Sequence, residues 1–188
     1  MNDSLYVLGE LKETDKRAVA VVGSRDMTDR GRKLTEEFVK ELVKNKITIV
    51  SGLARGIDTV AHETALKYGG RTIAVIGSGL DIIYPPENTN LAEQISKNGA
   101  VVSGFPYGTQ PKGENFLARN QLIVKLSKAV LVIEGKRRSG TISTANHAAN
   151  EGVEVFAIAG SEATDYLIEN GAGVANTPQD VIQYLDGL

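Results

Sequence analysis

The segment Ser51-Gly52-Leu53-Ala54-Arg55-Gly56-Ile57-Asp58 sets two glycines, an arginine and an aspartate between two patterned stretches. Before it lies the apolar run Ile47-Thr48-Ile49-Val50, and after it the helical pattern Val60, Ala61, Thr64, Ala65, Tyr68. In a turn from a buried strand to a helix, glycines let the backbone approach a ligand, an arginine reaches outward, and Asp58 is placed to cap the helix. The chemistry such a turn suits is the holding of phosphate. Similar groups recur along the chain: backbone amides at Gly23, Gly52, Gly56 and Gly140, hydroxyls on Ser24, Ser51, Ser139 and Thr141, and the cations Arg25, Arg55, Lys112, Arg119 and Lys136. Amides at helix N-termini carry partial positive charge, and a guanidinium binds two oxygens at once.

These groups are positioned by a run of alternating elements. Apolar strands are predicted at Ala18 to Val22, Ile47 to Val50, Thr72 to Ile76, Ala100 to Val102, Ala129 to Ile133 and Val153 to Ile158, with a short edge strand at Leu5 to Leu8 and another near Val174. Helices fall between them: from about Thr28 with Leu34, Phe38 and Leu42 in phase and Asn45 closing, after Asp58 as far as Tyr68, around Leu91 and Ile95, from Phe116 to Ser127, after Ser139, near Tyr166 to Glu169, and a last one opened by Pro178. The loop Leu80 to Glu87, with Tyr84-Pro85-Pro86, reads as non-helical. The expected fold is α/β, a doubly wound, mostly parallel, Rossmann-like sheet in three layers, forming one domain over residues 1–188. Right-handed crossovers bring the strand C-terminal ends to one edge, and there the turns are Gly23-Ser24-Arg25, Ser51-Gly52, Gly77-Ser78-Gly79, Ser103-Gly104, Glu134-Gly135 and Gly160-Ser161. Ordinary turn chemistry explains any one of them. Six on one edge, together with five cations, favour a phosphate ligand.

Composition narrows the partners. The net charge of -2 conceals segregation. Residues 112–138 carry seven Lys or Arg against Glu114 and Glu134, whereas residues 139–188 carry seven acids and no Lys or Arg. A local basic region therefore coexists with an acidic whole, as phosphate binding requires, although a solvated surface explains charge scatter equally well. With no cysteine, a disulfide framework and a thiolate metal site are excluded. The start Met1-Asn2-Asp3-Ser4 lacks signal-peptide character and no apolar run is long enough for a bilayer, so a cytoplasmic protein without membrane contact is expected.

Several chemistries fail on their motifs. Gly77-Ser78-Gly79 lacks the third glycine of a dinucleotide site and leads into a proline loop, and no acidic residue closes the second parallel strand, where Ser51 sits. No P-loop sequence occurs. His62 and His147 fall within helices and are read as structural, with no catalytic residue and no metal site assigned; Asp58 and Asp81 read as a cap and a turn residue. Asp58 and Glu134 together leave a glycosidic hydrolysis open. Phe105, Tyr107 and Phe116 flank the basic region and are available to stack bases, with a core role as the alternative for Phe116.

The ordered motifs Val21-Val22-Gly23-Ser24-Arg25, Ser51 to Asp58 with His62, Ala74 to Asp81 with Tyr84-Pro85 and Asn88, Phe116 with Arg119-Asn120, and Ser139-Gly140-Thr141 with Thr144-Ala145 resemble the DNA processing protein A family, DprA or Smf. The resemblance runs from Leu8-Gly9 to Ala172. It implies a core domain that binds single-stranded DNA without sequence preference, needs no cofactor, is not an enzyme, assists loading of a RecA-type recombinase in DNA uptake or recombination, and forms a homodimer. Carried over by position, Arg55, Lys112, Arg119, Asn120 and the basic group at Lys136 before Ser139 and Gly140 contact the strand, while Gly23, Ser24, Arg25 and Gly52 line the pocket. The chain departs from the family in having Arg119-Asn120-Gln121 for Arg-Asn-Arg and Ser103-Gly104 for Ser-Glu, and the helical and winged-helix domains common in the family are expected to be missing. Two rivals remain. One is an enzyme similar to the nucleotide phosphoribohydrolases that activate cytokinin, whose motif glutamate is replaced here by Thr144; the other is a module sensing a nucleotide-derived signal.

Overall fold

A computed structural model describes residues 5–188; the start of the chain, on which the signal-peptide reading rests, lies outside the described residues. Strand β2 (Ala18–Val22) is buried at every position, as expected of a central parallel strand without polar side chains. The strands β1 (Tyr6–Gly9), β3 (Thr48–Ser51), β4 (Thr72–Ile76), β5 (Ala100–Ser103), β6 (Ala129–Val132), β7 (Glu154–Ala157) and β8 (Gly173–Val174) complete one sheet in the order β1-β5-β4-β3-β2-β6-β7-β8. Only β1 runs antiparallel, against β5.

Alternation along each strand sends side chains to two helical layers. Val19, Val21, Leu131 and Phe156 meet α1 (Asp29–Lys44), α2 (Ile57–Lys67) and α7 (Pro178–Asp186), while Ala74, Ile76 and Val101 meet α3 (Thr89–Asn98). Ala20, Val22, Val130 and Val132 face the opposite layer of α4 (Gly113–Lys125), α5 (Gly140–Asn150) and α6 (Glu162–Glu169). The doubly wound, three-layered architecture agrees with the sequence expectation. Thr28 caps α1, its Oγ1 accepting the Gly31 amide at 3.0 Å, and Asn45 closes it.

Two helix starts differ, and two short turns are added. Helix α4 begins at Gly113 rather than Phe116, so the aromatic ring lies inside its first turn. Helix α6 begins at Glu162 because Ser161 and Thr164 cap each other reciprocally, a signal stronger than the apolar phase near Tyr166. A turn of 3-10 helix, Glu13–Lys16, occupies what reads as a charged connection, and another, Pro86–Asn88, lies at the end of the proline loop.

The first of these turns is organised by Asp15. Its carboxylate is buried and accepts from the Lys12 amide (2.8 Å), Thr48 Oγ1 (2.9 Å) and the Arg71 guanidinium (2.7 and 2.8 Å). Burial raises its pKa, but the Arg71, Lys12 and Thr48 bonds outweigh this and hold it below the ordinary aspartate range. A folded pKa below the unfolded one contributes stability that is complete above the ordinary range and lost as the pH falls through the folded value. Asp15→Asn is expected to cost about 2 kcal/mol at neutral pH and to flatten the acid limb of the stability curve; urea unfolding from pH 7 down to pH 2.5 checks both.

Candidate nucleic-acid interface

From β2 the chain crosses one way to β3 and the sheet continues the other way to β6, so the strand order reverses between β2 and β6. A crevice opens at the C-terminal ends of strands at such a point. Here the turn after β2 and the turn after β6 are fastened together. The Ser24 amide donates to the Glu134 carbonyl at 3.0 Å, and the Glu134 carboxylate accepts from both the amide and the hydroxyl of Thr28 at 2.7 Å. Glu134 is thereby occupied in holding the start of α1, and it does not pair with Asp58 as a second acid for hydrolysis.

Between these turns and helices α4 and α5 lies a pocket of about 340 Å3. Gly23, Ser24 and Arg25 form one wall, and Lys136, Arg138, Ser139, Gly140 and Thr141 form the other. Arg119 and Asn120 of α4 close the floor. The first residues of α5 bring backbone amides to the wall, and Asn120 Nδ2 donates to the Gly140 carbonyl at 3.4 Å. An adjoining recess is lined by Gly52, Arg55, Tyr84 and Pro85, and shares Arg25, Phe116 and Arg119 with the pocket.

Phe116 stands between the two. Its half-buried ring has the Arg25 guanidinium 5.5 Å and the Arg119 guanidinium 5.7 Å from its centroid, and the Tyr84 ring 5.8 Å away. The ring is thus part of the ligand edge and not of the core. Arg55 is exposed and paired with Glu87. Arg137 turns away from the pocket and stacks on Tyr166 at 4.6 Å, which leaves Lys136 and Arg138 as the cations of that loop facing inward.

Other expected residues occupy different places. Arg119 is 6% exposed and does not reach out. Its Nη1 donates to the Gly52 and Val75 carbonyls inside the protein, and its buried Nε has no hydrogen-bond partner among the described residues. Burial lowers its pKa, Asp58 opposes that and Arg25 adds to it. Ser51 is the last residue of β3 and points into the core, donating to the Val21 carbonyl at 2.7 Å. Gly56 lines neither cavity; it is the N-cap of α2 with a φ of 76°, and a Cβ there would collide with the Ser24 carbonyl. Lys112 precedes α4, exposed and outside both linings; the loop before it is tied to the β4 turn by the Gly79 amide donating to the Thr109 carbonyl (2.9 Å) and the Gly108 amide donating to the Asp81 carboxylate. Asp58 does not cap its own helix. It accepts from the upstream amides of Gly52 (3.1 Å) and Ala54 (3.4 Å), folding the turn over the helix start.

His62 is fully buried, and burial with the nearby Arg119 lowers its pKa to about 3, so it is neutral at physiological pH. Thr72 Oγ1 donates to the Ile49 carbonyl, so the 2.7 Å contact is a bond from His62 Nδ1 to Thr72. His62 lies within α2 and lines neither cavity. Asp26, Leu117 and Thr144 line the pocket without having been singled out as ligand-edge residues; Thr144 lies one helical turn beyond Thr141, a spacing that could have indicated it. Among the described residues no cluster of three His, Asp or Glu could hold a metal, and no helix is long and apolar enough to cross a membrane.

With this geometry established, comparison with known proteins is decisive. A family model, DNA recombination-mediator protein A, matches residues 2–186. The chain belongs to this family. Protein Smf of Synechocystis sp. is 42% identical over 194 residues, which cover 98% of this chain and 49% of that protein. DNA processing protein DprA of Streptococcus pneumoniae is 44% identical over 184 residues, covering 95% of this chain and 65% of that protein. Its X-ray structure has a TM-score of 0.90 to this fold at 43% identity. DNA processing protein A from Helicobacter pylori, solved for its single-stranded DNA binding mode, has a TM-score of 0.90 at 33% identity, covering 97% of this chain and 86% of that one. The chain thus spans about half the length of the Synechocystis relative and under two thirds of the pneumococcal one. The family resemblance read from the motifs is correct.

The floor of the site depends on Gly52. A Cβ there would collide with the Arg119 guanidinium and lie 2.7 Å from Asp58 Oδ2. Gly52→Ala is expected to destabilise the fold by about 1–3 kcal/mol and to displace Arg119 into the pocket; urea unfolding measures the first and a crystal structure of the variant the second.

Proposed function

We propose that this chain binds single-stranded DNA through the pocket at the β2/β6 switch, by its phosphate backbone and without sequence preference. The observation that carries this reading is Phe116, a half-buried aromatic ring with two guanidinium groups within 5.7 Å of its centroid, at the junction of two cavities. A base stacks on such a ring, worth on the order of 1–3 kcal/mol per base. Phosphates on either side meet Arg25, Lys136, Arg138 and the α5 amides. The single-stranded DNA binding mode described for the H. pylori relative supports the same ligand here. In this reading the chain acts in the cytoplasm as a homodimeric recombination mediator that assists a RecA-type recombinase during DNA uptake or recombination. Support comes from the family description and the DprA kinship.

The role is binding and not catalysis. Of the two carboxylates lining the pocket, Asp58 is buried and committed to two amides and Asp26 is exposed; Thr144, standing where the phosphoribohydrolase pattern requires a glutamate, gives its hydroxyl to the Gly140 carbonyl at 3.2 Å. A second reading, a small nucleotide-derived ligand, is favoured by one observation: the closed floor and volume of about 340 Å3 suit a single small molecule.

Titration of labelled oligonucleotides of differing sequence over a salt series tests the main reading. Binding should weaken steeply with salt and equally for all sequences, and Arg25→Ala should lower the slope of log K against log salt by about 1. Failure to bind at low salt would overturn it. Release of free base from nucleoside monophosphates would reinstate the enzyme, and thermal stabilisation by a mononucleotide without oligonucleotide binding would favour the sensor.

A further inference from the structure

At the opposite edge of the sheet a second cleft, of about 360 Å3, lies between the segment before β2 and the turn from α4 to β6. Its floor is aliphatic, made by Leu11, Ile73 and Leu126, all packed on the cluster beneath α4. Its rim carries Lys12, Lys16, Lys125 and Lys128. Asp15 is the one carboxylate in the lining, and Arg71, Thr48 and the Lys12 amide already satisfy it, so it fixes a wall of the cleft without neutralising the rim. Lys125 and Lys128 are exposed and make no ion pair among the described residues. Lys12 and Lys16 reach only Glu10 and Glu13, exposed neighbours in sequence whose pairing is weak and readily exchanged.

The chemistry differs from that of the switch-point pocket. Among the described residues no α-helix N-terminus lines this cleft; α4 ends beside it, with its partial negative charge. The rim cations are ammonium groups on flexible aliphatic stems, not the guanidinium groups and amides that grip phosphate elsewhere on the molecule. Positive charges around an aliphatic floor complement an extended peptide in which carboxylates alternate with aliphatic side chains, the former meeting the rim and the latter the floor.

We propose that this cleft docks an acidic, aliphatic-bearing segment of a partner protein. The site is separate from the pocket assigned to DNA and does not rest on that assignment. Fluorescence anisotropy with a labelled octapeptide alternating Glu and Leu, on the full chain, reads it directly. The peptide should bind, a Glu/Ser counterpart should bind at least tenfold more weakly, and the exposed double variant K125E/K128E, with unfolding midpoint unchanged, should weaken the Glu/Leu peptide tenfold or more. Oligonucleotide affinity should be unaffected by that variant, and peptide affinity unaffected by Arg25→Ala. Absence of peptide binding at low salt, equal binding of the Glu/Ser peptide, or insensitivity to K125E/K128E would overturn the proposal. A loss of oligonucleotide binding in K125E/K128E would overturn it in favour of a second nucleic-acid surface.

Discussion

A buried guanidinium holds the ligand edge together. Taking the charge of Arg119 out of water is costly, and in this fold the cost is offset in part by the carbonyls of Gly52 and Val75, at the ends of β3 and β4, which accept from Nη1 while the buried Nε has no partner among the described residues. Asp58 supplies the nearby negative charge and itself binds the amides of Gly52 and Ala54. Helix α4, two strand ends and the start of α2 are thus joined by one side chain and its counter-ion. Phe116 precedes Arg119 by three residues on the same helix, so the orientation of the ring follows from that anchor. The cations that remain accessible, Arg25, Lys136 and Arg138, stand on loops supported by this base.

The architecture was legible because its signals are local. Apolar runs without polar interruption mark central strands, and the glycine turns that follow them mark the ligand edge. Depth was not legible. Arg119 and Arg25 look alike as residue types, but one lies under the floor and the other at the rim, a difference set by how closely α4 packs on the sheet. Ser51 was misplaced for a related reason: as the last residue of a strand its side chain obeys the period of two and enters the core, although its backbone reaches the edge. Lys112 was misplaced as well, and the loop before it is held by hydrogen bonds between loops far apart in sequence, Gly79 with Thr109 and Asp81 with Gly108, which no periodicity reveals.

The segregation of charge in the sequence also takes on a spatial meaning. The basic segment 112–138 divides between two ends of α4 and the loop after β6. Lys136 and Arg138 serve the switch-point pocket, whereas Lys125 and Lys128 belong to the far edge. A single net charge for the segment therefore conflates two surfaces of different chemistry, one rich in guanidinium groups and amides, the other in ammonium groups over an aliphatic floor.

Glu134 bears on how quickly such a site can be filled. Its carboxylate fixes Thr28 and its carbonyl receives the Ser24 amide, so the two walls of the crevice cannot separate without breaking three hydrogen bonds. A ligand arriving there meets an opening of set width, and if it is the single strand proposed above, the entropy lost on association falls on the flexible polymer more than on the protein. On the proposed reading, encounter would be governed by diffusion under the field of the rim cations, and the lifetime of the complex by how many nucleotides are seated at once.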